Sequence, residues 1–141
     1  MKIDGSCHCG AIRYEAEIDP DKVSICHCTD CQALTGSAFR VTVGTPEDRF
    51  RLTAGEPRIY VKTTADSGAK RLQAFCGDCG SPIYATSAEP PADGSPRRFG
   101  LRVGTIRQRR AIEPAKQIWR NSALPWVPPL THLETFAEED N

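Results

Sequence analysis

The sequence predicts a single mainly-β domain of short antiparallel strands, and three observations lead there. Apolar and polar residues alternate over "GAIRYEAEI", so that Ile12, Tyr14, Ala16 and Ile18 fall on one strand face and Arg13, Glu15 and Glu17 on the other. Val- and Thr-rich stretches recur between turn signals made of Gly, Pro, Asp and Ser. Helical signals are confined to one turn within Cys31–Ser37 and another within Pro114–Trp119.

Taken in order, "DPDK" turns the chain after the first alternating segment, and Val23 to Cys28 reads as a short strand. "FRVTVG" is a further strand. "EDRFRLTAGEPRIYVKTT" reads as a strand, a Gly-Glu-Pro turn and a second strand. "RLQAFCGDCGSPIYATS" places a cysteine pair between two extended pieces, and "AEPPADGSPRR" is a surface loop. "FGLRVGTI" alternates again, and "PWVPPL" excludes helix. The domain is expected to occupy residues 1–141, with about 131–141 a partly frayed acidic tail ending in "ETFAEEDN".

A chain of 141 residues has room for one ordinary hydrophobic core. Lys plus Arg number 18 and Asp plus Glu number 18, so no charge bias points to nucleic acid or an anionic membrane. "MKIDGSCHCG" has no apolar segment behind Lys2, and no apolar run approaches the ~20 residues needed to span a bilayer. These features predict a cytoplasmic protein.

The seven cysteines stand out. An odd count in a reducing compartment does not suit a disulfide framework. They occur as Cys7-x-Cys9, Cys26-x-Cys28-x-x-Cys31 and Cys76-x-x-Cys79, which are metal-chelating spacings. Cys7 and Cys9 share a strand face, and the glycines of "CGDCG" permit a tight chelating turn. One partition joins Cys7, Cys9, Cys76 and Cys79 in a closed four-sulfur site. It leaves Cys26, Cys28 and Cys31 as three ligands with an open fourth position, the pattern of a catalytic zinc. Spacing alone also permits Cys28, Cys31, Cys76 and Cys79 as the set of four.

The segments "GSCHCGAIRYEAE", "CHCTDCQALTGSAFRV", "LTAGEPRIY", "FCGDCGSPIY", "RVGTI" and "IWRNSALPWV" resemble, in order, the glutathione-dependent formaldehyde-activating enzyme family, which also includes centromere protein V. The resemblance implies a β-tent fold of small antiparallel sheets and two zinc ions per chain. It implies a structural zinc on Cys7, Cys9, Cys76 and Cys79, and a catalytic zinc on Cys26, Cys28 and Cys31. It further implies a carbon–sulfur lyase that condenses glutathione, or a similar small thiol, with formaldehyde or a related carbonyl to give S-hydroxymethylglutathione or its analogue. Two positions depart from the family pattern: Ile106–Arg110 carries no acidic pair, and Gln117 stands where a His is common.

Three thiolates leave a zinc dication with a net charge of −1. Such an ion is a weak activator of water and a fitting partner for a soft thiolate. His8 and His27 each lie between two cysteines and are expected to face away from the metal, as surface or supporting groups; His132 has no assigned role. Trp119 and Trp126 are expected in the core or a pocket wall. The run Arg97, Arg98, Arg102, Arg107, Arg109 and Arg110 reads as a solvated face or an anion-binding patch for glutathione carboxylates. It also supports the alternative function, a non-catalytic zinc-stabilised module that binds a protein or nucleic-acid partner through this face; zero net charge makes nucleic acid the weaker partner.

Overall fold

The computed structural model describes residues 1–139. Along the chain, β1 (Lys2–Ser6) and β2 (Arg13–Glu17) are followed by β3 (Val23–Cys26), the helix α1 (Thr29–Thr35) and β4 (Arg40–Pro46). Then come β5 (Phe50–Ala54), β6 (Arg58–Lys62), β7 (Arg71–Phe75), β8 (Pro82–Ser87) and β9 (Arg98–Arg102). Two short strands close the described chain, β10 (Lys116–Ile118) and β11 (Glu134–Thr135). The mainly-β expectation holds.

The strands form two sheets. One has three antiparallel strands in the order β1-β2-β5. The other has eight in the order β11-β10-β3-β4-β9-β8-β7-β6, antiparallel from β3 to β6. The alternation read in β2 is real: Ile12, Tyr14, Ala16 and Ile18 are buried and Arg13, Glu15 and Glu17 exposed. Buried faces of both sheets meet in one core containing Ile3, Tyr14, Val43, Ile83, Phe99 and Leu101. An aromatic group joins the sheets: Phe50 of β5 lies 5.3 Å from Tyr14, 5.2 Å from Tyr84 and 5.3 Å from Phe99, and Tyr84 and Phe99 stack at 4.3 Å.

Gly5 is fixed by this packing. A Cβ there would overlap the Tyr14 ring and the Thr105 carbonyl, and the Tyr14 hydroxyl is held by Thr105 Oγ1 at 2.7 Å. Gly5→Ala is expected to cost about 1–3 kcal/mol, as overpacking of a filled core does, measurable as a lowered urea midpoint.

Two expectations, the turn within Pro114–Trp119 and the packing of Trp126, need correction. The turn predicted within Pro114–Trp119 is the strand β10, which pairs in parallel with β3 through Lys116↔Ser24, Gln117↔Ile25 and Ile118↔Cys26. Tertiary pairing and the burial of Gln117 override the local signal. The described part of the acidic end, expected as a partly frayed tail, carries backbone hydrogen bonds in the structure. β11 pairs in parallel with β10, and the N–H groups of Trp119, Arg120 and Asn121 donate to the carbonyls of Glu138, Phe136 and Ala137. Residues 140–141 of the expected tail lie outside the described residues. Trp126 is 70% exposed rather than packed. The Gly-Glu-Pro segment, for its part, carries the chain from one sheet to the other, since β5 and β6 pair with different partners.

Candidate metal centres and the adjoining cavity

Two backbone knuckles of similar design present four of the cysteines. In the first, Cys7 N donates to the Ile12 carbonyl at 3.1 Å; in the second, Cys76 N donates to the Ser81 carbonyl at 2.9 Å. Each contains a left-handed glycine directly after its second cysteine, Gly10 at φ 82° and Gly80 at φ 79°. Cys7 and Cys9 thus lie on a turn beyond β1, not on a strand, and the turn still directs both sulfurs to one point. The sulfurs are 3.6 Å apart between Cys7 and Cys9, and 3.8 Å between Cys9 and Cys76. A tetrahedral ion with Zn–S bonds of about 2.3 Å separates its sulfurs by about 3.8 Å, so the set fits zinc. Disulfide bonding at about 2.05 Å is excluded at these distances.

Ligand sulfurs must be thiolates, and the surroundings supply donors for them. Ile12 N donates to Cys7 Sγ at 3.2 Å. The Ser81 hydroxyl, 3.3 Å from Cys79 Sγ, and then the Ser81 N–H bring the Cys79 thiol down to about 5. Cys7 and Cys76 belong to the buried core, so this cluster is continuous with the packing between the sheets. His8 is exposed and its N–H donates to Ser81 Oγ at 3.0 Å, tying one knuckle to the other.

Cys26, Cys28 and Cys31 form a separate cluster, with all three sulfurs within 4.8 Å of one another. Cys26 ends β3 opposite Arg40 of β4. Cys28 is the N-cap of α1, its sulfur accepting from Cys31 N at 3.3 Å. Hydrogen bonds from the Cys26 and then the Cys31 sulfur hold the Cys28 thiol down at about 2, while the same contacts push Cys26 up. The seven sulfurs gather as four and three; the set Cys28, Cys31, Cys76 and Cys79 does not form.

His27 is fully buried rather than at the surface, and its ring does not belong to the three-sulfur cluster. Its Nε2 donates to Gln117 Oε1 at 2.9 Å, and its ring meets Phe39 edge-on at 5.5 Å. Burial pushes its pKa down. Gln117 in turn donates to the Leu130 carbonyl and to Thr135 Oγ1. Gln32 clips the loop by donating to the carbonyls of His27 and Ser122. The segment carrying the three cysteines is thus anchored to β10 and to the end of the chain.

A cavity of about 350 Å³ is walled by Leu34, Tyr60, Phe75, Gly80 and Pro82, with Arg40 and Gln73 as its polar groups; Arg40 is the cross-strand partner of Cys26. A larger open groove of about 1450 Å³ follows β1, β2 and β5. It lies away from the three-cysteine cluster, and its Asp4–Arg107 and Glu15–Arg51 ion pairs satisfy each other. The Arg run does not make one face. Arg97 is bound to Glu47 at 2.7 Å, Arg107 to Asp4 at 2.7 Å, and Arg102 turns inward to Thr42 and Gln73. Arg40, Gln73 and Tyr60 escape sequence reasoning. The one available signal is Arg40 itself, a charged residue inside the apolar strand "FRVTV".

The sequence model of the family described as glutathione-dependent formaldehyde-activating enzyme matches residues 2–122. An uncharacterized lyase of Schizosaccharomyces pombe is 32% identical over 81 residues, 57% of this chain; the chain spans 55% of that protein's length. A crystal structure of a Rhodobacter sphaeroides protein aligns with a TM-score of 0.54 at 18% identity, covering 94% of this chain and 99% of that one, and so shares the fold. Among the described residues no helix is long and apolar enough to cross a membrane. With the family match extending over both cysteine clusters, the chain belongs to the glutathione-dependent formaldehyde-activating enzyme family.

Proposed function

We propose that the protein is a zinc-dependent carbon–sulfur lyase-type enzyme that joins a small thiol such as glutathione to formaldehyde or a related carbonyl. The observation that carries this reading is the unequal division of the cysteines, one complete set of four and one set of three, with Arg40, the cross-strand partner of Cys26, lining a cavity. Cys7, Cys9, Cys76 and Cys79 are assigned to a structural ion within a single domain spanning the chain. Cys26, Cys28 and Cys31 are assigned to the reactive one. A zinc ion held by three thiolates supplies an open position for a substrate thiol in its deprotonated form.

The chain's own contribution is placement. Cys28 and Cys31 are fixed by the first turn of α1, Cys26 by β3, and the intervening His27 by Gln117. The cavity receives the body of the thiol and keeps it near the carbonyl. In the reaction the thiolate sulfur forms a bond to the carbonyl carbon. The C=O π pair moves to oxygen, which takes a proton, and the thiol proton is released to solvent. Atoms and charge balance as thiol plus aldehyde giving the hydroxymethyl thioether, with no net oxidation.

Carbon-13 exchange NMR of formaldehyde and glutathione tests this. The zinc-loaded protein is expected to raise the interconversion rate at least tenfold above the buffer reaction. A rate equal to buffer, with two zinc ions per chain confirmed, would refute the assigned activity.

A further inference from the structure

The face of the eight-stranded sheet that bears Cys26 carries an unusual charge arrangement. Arg40 is Cys26's cross-strand partner on β4, and Arg102 on β9 is the partner of Thr42, two residues along the same face. Arg40 is only 5% exposed. The Nε atoms of both guanidiniums are buried without a hydrogen-bond partner among the described residues. Both side chains instead donate to one neutral oxygen, Gln73 Oε1, Arg40 from 3.3 Å and Arg102 from 2.9 Å. Neither makes an ion pair with a carboxylate among the described residues.

Two like charges held together below the surface are costly unless an anion faces them. The charged groups around them narrow the choice. Lys62 is paired with Asp30 at 2.9 Å, and Arg71 has Glu139 in its field. Arg40 lies opposite Cys26 of the cysteine cluster across the β3–β4 pair, with Arg102 two residues along the same face.

The charge count then becomes specific. Three thiolates with one divalent ion sum to −1, which leaves one positive charge unmatched. A fourth ligand that is itself an anion brings the sum to −2 and matches both guanidiniums; a neutral ligand does not. We propose that Arg40 and Arg102 form a two-cation wall that makes the open position of the three-cysteine site select an anionic ligand, a substrate thiolate, over a neutral one. This rests on the reading that Cys26, Cys28 and Cys31 hold a metal ion. Gln73 is a positioning residue in it, the neutral acceptor that keeps two cations adjacent without cancelling them.

Gln73→Glu tests the proposal with the least disturbance. The carboxylate keeps both hydrogen bonds and adds the one charge that the wall lacks. Wild type, Gln73→Glu, Gln73→Leu and Arg102→Lys, each loaded with cobalt, would be titrated with 2-mercaptoethanol, azide and imidazole and followed by their d–d bands. Gln73→Glu is expected to weaken 2-mercaptoethanol and azide at least about tenfold, the scale of one unit charge at this range, and to leave imidazole within about twofold. Arg102→Lys keeps the charge and is expected to stay near wild type, and Gln73→Leu to change anionic and neutral ligands alike. Equal shifts for anionic and neutral ligands in Gln73→Glu, or none, would overturn the proposal. A wild-type protein that binds azide with this charge dependence but never a thiol would refute the assigned activity and leave the anion selectivity standing.

Discussion

Cys76→Ser is expected to abolish folding. Cys76 is 1% exposed within the core cluster, and it helps to close a loop that runs from the first knuckle to the second. A serine oxygen is a poor zinc ligand, and structural zinc contributes on the order of 10 kcal/mol to folding in small domains. That loss is comparable to the whole stability of a domain, about 5–15 kcal/mol. The variant should therefore be insoluble, or give a circular dichroism spectrum without the wild-type strand signal. Recovery of a folded Cys76→Ser protein with full metal content would show that the four sulfurs do not form a structural site.

Cys28→Ser should behave in the opposite way. Cys28 caps α1 by accepting from Cys31 N, and serine is a preferred residue at that position, so the hydroxyl takes over the bond. The three cysteines are close in sequence, and little loop closure depends on them. Anchors for the segment come from Gln32 and from the His27–Gln117 bond, which the substitution does not touch. The expected protein is folded, with a melting temperature within a few degrees of wild type. Its metal content falls from two ions per chain to one, and its acceleration of the thiol–formaldehyde reaction is lost. A Cys28→Ser protein that unfolds would mean that the cluster is structural.

The residues show why some of this was legible in the sequence. β2 announces itself because it has one wet and one dry face, so its period-two pattern survives in the letters. The cysteine spacings are legible because chelation constrains neighbours in sequence, although two partitions satisfied the same spacings and only the grouping of the sulfurs in space separates them. β1 was hidden: "KIDGS" offers a single apolar residue and owes its strand state to pairing with β2. β10 and β11 were hidden because parallel pairing at the end of the sheet joins segments remote in sequence. The polar lining of the cavity was hidden for the same reason. Arg40 and Gln73 come from β4 and β7, strands remote in sequence, and nothing local connects them.

The most direct test of the open three-cysteine site is the absorption spectrum of the cobalt-substituted protein with and without substrate. Glutathione is expected to add sulfur-to-cobalt charge-transfer intensity corresponding to one further thiolate and to shift the d–d bands, while S-methylglutathione leaves both unchanged. The change should be absent from Cys28→Ser, whose four-cysteine site stays loaded. Identical spectra with and without glutathione in the wild-type protein carrying two cobalt ions per chain would contradict a substrate sulfur as the fourth ligand.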